Sequence, residues 1–186
     1  MERSISMPLG VVVERRELEH RWQKHGWRPV AVIPGAPETA DWRELRRGEG
    51  WIRYHAATLP LELHRKETEA YAQNLTTGRP AIYVVLRPDE ARDALREVQP
   101  FLVTASPYQA QDYTDSDDLV EAVPMPEGVV AWLQAFVDRH HVVQPFRKRR
   151  REPHDVERSA FGPPARTRGP DRMRAGRRPR GGSGRG

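Results

Sequence analysis

Leu9-Gly10-Val11-Val12-Val13-Glu14-Arg15 is the stretch from which the rest of the chain is read. Three successive β-branched valines favour extended backbone, because the branched side chain packs well on a pleated surface. The apolar run is short and passes directly into Glu14-Arg15-Arg16, so it reads as a strand buried at its start and emerging into water. Working outward, Trp27 to Ile33 forms a second strand, stopped by Pro34-Gly35. Pro29 near its start suits a sheet edge, where no amide donor is needed. Trp51 to Ala56 and Leu59 to His64 read as a third and a fourth strand. Leu59, Leu61 and Leu63 alternate with period two in the fourth, and Ala57-Thr58 between the pair permits a hairpin although it lacks the usual glycine or asparagine. Ala81 to Leu86, bounded by Pro80 and Pro88, Phe101 to Ala105, and Leu119 to Val123 complete the strands. Glu67 to Leu75 reads as a short helix and Asp89 to Glu97 as a helical turn.

The last ordered element is an amphipathic helix. Pro126 stands near its first turn, where a missing amide costs little, and Glu127 complements the positive end of the dipole. Val129, Leu133, Phe136, Val137 and His140 share one face at three- and four-residue spacing. His140 and His141 in the last turn are expected to favour their protonated form. Antiparallel strands followed by one such helix predict an α+β domain. The expected arrangement is a strongly bent sheet or partly open barrel, closed by the C-terminal helix.

Charge divides the chain. Of 31 Lys+Arg and 26 Asp+Glu, residues 147–186 hold 14 basic and 4 acidic, a net of +10. The 17 basic and 22 acidic residues of 1–146 leave a net of −5. The last 40 residues also hold 7 of the 14 glycines and 5 of the 17 prolines. Their large apolar residues are Val156, Phe161 and Met173, too few to offset roughly 1–2 kcal/mol of backbone entropy per ordered residue. The expected organisation is a flexible 1–6, a single globular α+β domain at 7–146 and a disordered Arg/Gly/Pro-rich tail at 147–186.

Several chemistries are excluded outright. With no cysteine there is no disulfide, thiolate zinc site, iron–sulfur ligation or cysteine nucleophile. No G-x-S-x-G elbow and no glycine-rich phosphate loop occurs. His64 and Glu67 form an H-x-x-E pair, too few ligands for zinc, and read as structural. Met7 to Val13 is too short and too interrupted for a secretory signal, and Val129 to Val137 is too short for a membrane span. A cytoplasmic protein is expected, with no metal, no cofactor and no catalytic residue assigned.

Two segments remain as candidate contact surfaces. Ser106 to Asp118 is the most polar stretch of the body and follows a buried strand. Asp112, Asp115, Asp117, Asp118 and Glu121 do not follow the calcium-loop spacing, so an acidic loop is expected. Loops on rigid strands carry binding residues, which singles out Tyr108, Gln111, Asp112 and Tyr113. The second segment is the basic run Arg147, Lys148, Arg149, Arg150 and Arg151, continued by arginine–glycine repeats up to Gly186. Such a tail is able to tether nucleic acid through phosphate contacts.

Blocks spread along the chain carry a family resemblance. They are Met7 to Arg16, Trp27 to Val32, Leu61 to Tyr71, Ala81 to Arg87, Val103 to Tyr108, Gln111 to Tyr113, and Val120 to Pro126. Over roughly residues 7 to 150 the chain resembles a small proteobacterial domain-of-unknown-function family found in formate dehydrogenase and other molybdoenzyme gene neighbourhoods. Some members of that family are labelled molybdopterin-guanine dinucleotide biosynthesis protein A. The resemblance implies a non-catalytic accessory or assembly protein for a molybdenum-dependent oxidoreductase, whose partner is a formate dehydrogenase subunit or maturation factor. The label implies instead a nucleotidyltransferase, whose L-x-G-G-x-S-x-R-M-G loop has no counterpart in Val12-Val13-Glu14-Arg15-Arg16. Nucleic-acid tethering through the tail is the third expectation.

Overall fold

The computed structural model describes residues 4–19, 25–39, 41–93 and 96–142, without the side chains of 90–93 and 96. The tail expected at 147–186 lies outside the described residues.

The valine run is the middle of a longer strand, β1 (Ser4–Glu17). Leu9, Val11 and Val13 face inward and are fully buried. β1 lies between β2 (His25–Pro34) and β4 (Trp51–His64), and β4 is flanked by β3 (Arg43–Gly48), giving the order β2-β1-β4-β3. All neighbouring pairs are antiparallel. The two strands expected at 51–56 and 59–64 are one continuous strand, paired with β1 from Arg16↔Trp51 to Ser4↔His64. Ala57-Thr58 supplies no residue suited to the positive φ of a tight hairpin, and a register shift beside Val11/Val12 absorbs the irregularity instead. β3 was not expected at all, since Arg-Glu-Leu-Arg-Arg-Gly has no apolar alternation. It is held by a two-residue turn, Glu49-Gly50, in which Gly50 adopts φ 71°.

A 3-10 turn (Arg65–Glu67) leads into α1 (Thr68–Thr76). The second sheet has the order β6-β5-β7, from β5 (Ala81–Asp93), β6 (Arg96–Thr104) and β7 (Leu119–Pro124). β5 and β6 occupy most of the segment expected as a helical turn at 89–97. Between β6 and β7 lies α2 (Pro107–Gln111), where a loop was expected, and α3 (Glu127–His140) ends the described chain. Ser106 caps α2 by accepting a hydrogen bond from the Gln109 amide, with Pro107 at the first helical position.

The strongly bent sheet or partly open barrel is not formed. The strands make two separate antiparallel sheets, neither of them closed or strongly curled. The edge strands β2 and β6 carry Pro29 and Pro100, each of which lacks an amide donor for a ladder. α3 does not seal a barrel. Its buried Val129, Leu133, Phe136 and Val137 join the core with Leu61 and Leu63 of β4 and Ile82, Val84 and Leu86 of β5. Tyr71 of α1 packs edge-on against Phe136.

Asn74, 2 % exposed, joins α1 to the second sheet. Its side-chain amide donates to the carbonyls of Ala81 and Ala105, both at 2.8 Å, and accepts from the Ala81 amide at 3.0 Å. Ala105 is the residue before the Ser106 cap, so Asn74 fixes the point at which the chain enters α2.

Candidate functional site

Around α2 the chain builds an aromatic ridge in which Phe101 and Tyr108 are exposed and Tyr113 is half-buried. β6 carries an irregularity where Val85 pairs Leu102 but Leu86 pairs Pro100, leaving Phe101 as an extra residue. A bulge of this kind re-aims a side chain, and Phe101 is 42 % exposed although Val103 and Ala105 of the same parity are buried. The Arg87 guanidinium lies 3.5 Å from the Phe101 ring centroid. Tyr113 meets the same ring in a T-shaped contact, with centroids 5.8 Å apart. Arg87 also donates to both carboxylate oxygens of Asp118, at 3.0 and 3.1 Å. That hydrogen-bonded pair holds the Asp118 carboxyl below the usual carboxylate range. Beside Phe101, a groove of about 240 Å³ runs between β4 and β6, lined in part by Leu59, Pro60, His64 and Gln109.

The expected contact residues fall here with different anchors. Tyr108 is 51 % exposed and donates from its hydroxyl to Gln73 of α1 at 2.6 Å. Tyr113 leans on β6, so the two tyrosines are fastened to different elements. Gln111 and Asp112 are exposed at the end of α2. The run Arg147 to Arg151 lies outside the described residues. Sequence reasoning missed Phe101, which reads as a core residue unless the bulge is known. Among the described residues, no three His, Asp or Glu side chains are placed to hold a metal ion.

One expectation about histidine, that His140 favours its protonated form, is corrected. His64 turns its Nε2 toward Glu62 at 3.3 Å, whereas Glu67 accepts from the Tyr71 hydroxyl, so the H-x-x-E pair does not meet. His140 stacks on Phe136 with centroids 4.7 Å apart. Desolvation, aided by the Arg65 and Arg139 charges, pushes its pKa down rather than up.

A second polar assembly lies on the outer face of the four-stranded sheet. Glu14 is 1 % exposed, yet it is a carboxylate on the face opposite the core. Arg53 donates to it at 2.8 Å and Arg16 at 3.0 Å, with Arg28 at 3.9 Å. Burial raises the Glu14 carboxyl, but the Arg53 and Arg16 hydrogen bonds outweigh it and hold the group below the ordinary glutamate value.

The chain belongs to the family described as protein of unknown function (DUF3305), whose model matches residues 8–150. The match spans the region over which the family resemblance runs. No curated protein and no solved structure matches the chain. No helix among the described residues is long and apolar enough to cross a membrane.

Proposed function

On the premise of that membership, we propose that the protein is a non-catalytic accessory or assembly factor that works by protein–protein contact. Its client is a molybdenum-dependent oxidoreductase such as formate dehydrogenase, as the family resemblance implies. The supporting observation is the ridge of Phe101, Tyr113 and Tyr108 beside an apolar-edged groove, set on two strands and a capped helix. Aromatic side chains that reach the surface, as Phe101 and Tyr108 do, yet are held in one orientation suit the centre of a protein interface, since little entropy is lost on docking. Arg87 adds a cation already stacked on Phe101, and arginine is likewise enriched at such centres.

The test is genetic and biochemical together. Deletion is expected to lower formate dehydrogenase activity, and the purified full chain is expected to co-elute with a subunit or maturation factor of that enzyme. Full activity in a clean deletion strain would falsify the assignment. Calorimetry with GTP and Mg²⁺ addresses the nucleotidyltransferase alternative, for which binding heat would be required.

A further inference from the structure

The outer face of the four-stranded sheet collects arginines that are scattered in the sequence. Cross-strand partners point to the same face of a sheet. Glu14 pairs with Arg28 of β2 and with Arg53 of β4, and Arg53 in turn pairs with Arg46 of β3. Arg16 lies two residues beyond Glu14, and Arg43 pairs with His55, itself the partner of Val12. Five arginines from four strands therefore share one face with the Glu14 carboxylate. The side chains of Arg16 and Arg28 are 58 % and 59 % exposed, and that of Arg53 is 41 % exposed.

Glu14 does more than neutralise one charge. It takes the Nε–H of Arg53 and one Nη–H of Arg16, which leaves other donors of both guanidiniums directed away from it. Side chains already pinned lose less freedom when they bind, and the arginine fork matches a carboxylate in two-point contact. A concentration of arginines on one face of a body whose net charge is −5 calls for an anionic partner. The aromatic on this face does not offer a base-stacking platform. Trp51 lies across Gly48, where any Cβ would collide with its ring, and Arg53 sits 4.9 Å from the ring centroid. Single-stranded nucleic acid draws on such stacking as well as on charge, whereas carboxylates need only the guanidiniums.

We propose that the outer face formed by Arg16, Arg28, Arg43, Arg46 and Arg53, organised by Glu14, is a docking site for an acidic polypeptide segment of a partner protein. It is separate from the aromatic ridge and does not depend on the identity of the client.

The test uses the full chain with fluorescein-labelled decaglutamate, followed by anisotropy at low salt. The triple variant Arg28→Gln/Arg43→Gln/Arg46→Gln leaves the Glu14 hydrogen bonds intact and is expected to weaken binding about tenfold or more, a loss that shrinks as salt rises. Substituting glutamine throughout 147–151 is expected to weaken it less. Hydrogen exchange on the unaltered chain is expected to show that the peptide protects the amides of β3, a readout that depends on no variant. The proposal is overturned if the 147–151 variant loses binding while the triple variant keeps it, or if β3 gains no protection. It is equally overturned if the triple variant loses affinity for oligouridylate but not for decaglutamate, which would assign the face to nucleic acid. A low-salt dimer in sedimentation that the triple substitution disperses would assign it to a second copy.

Discussion

The aromatic ridge around α2 and the arginine face of the four-stranded sheet each rest on one buried polar residue, used in opposite ways. Behind the ridge, Asn74 is neutral and spends its side chain on backbone groups, so it fixes where the chain enters α2. Behind the arginine face, Glu14 is charged and holds side chains, leaving the backbone to the ladder. A neutral amide satisfied by carbonyls positions a helix independently of pH. A carboxylate satisfied by guanidiniums positions cations, and does so only while it stays ionised. The two surfaces also differ in sign. The ridge borders Asp112, Asp115 and Asp117, whereas the sheet face carries the arginines, so this one unit presents two surfaces of different chemistry.

The comparison breaks most sharply at Asn74. Replacing it with Ala leaves two carbonyls and an amide without their partner, and is expected to cost about 3 kcal/mol in urea unfolding. Glu14→Gln is expected to cost less, about 2 kcal/mol, because its arginines reach solvent and recover hydration. Its pH dependence separates the two faces. The folded Glu14 carboxyl titrates below the ordinary value of 4.5, so its contribution is complete above that value and is lost as pH falls through the folded pKa. The gap in stability between wild type and Glu14→Gln should therefore close in acid, while the Asn74→Ala gap stays open. Phe101→Ala removes a ring that is already 42 % exposed, and about 1 kcal/mol or less of stability is expected to go with it. Its larger effect should be on co-elution with the client. Tyr108→Phe, the smallest change, deletes one exposed hydrogen bond to Gln73 and should shift the unfolding midpoint by no more than about 0.5 kcal/mol equivalent. Loss of client binding in Tyr108→Phe without any change in stability would place that hydroxyl inside the interface.

Much of the fold was legible because it rests on local pattern. The valine run, Leu61 and Leu63 of the alternation with Leu59 partly buried beside them, and Val129, Leu133, Phe136 and Val137 of α3 take the burial their spacing implies. The misread parts are those in which pairing overrode the local signal. β3 exists because β4 offers it a ladder and Gly50 turns the chain, although none of its residues is buried. Phe101 turns outward because a bulge changes the parity of β6. His140 reverses its expected response because desolvation and the Arg65 and Arg139 charges disfavour its protonated form, and neither the desolvation nor the approach of Arg65 is visible in sequence. Of the proposed contact residues, Tyr108, Gln111, Asp112 and Tyr113 were singled out from polarity and position. Phe101, Arg87 and the groove beside them were not.

The amino-acid sequence by itself determined the membership of the family, the strand-rich body with its final helix, and the division of charge along the chain, because these follow from residue identity and short-range periodicity. Only the tertiary structure decided that the strands form two open sheets rather than one closed one, since closure depends on which edges can exchange amides. The arginine face was decided the same way. Arg16, Arg28, Arg43, Arg46 and Arg53 are separated by as many as fifteen positions between neighbours, in a segment whose net charge is negative. They become one surface only when antiparallel register lays four strands side by side around Glu14.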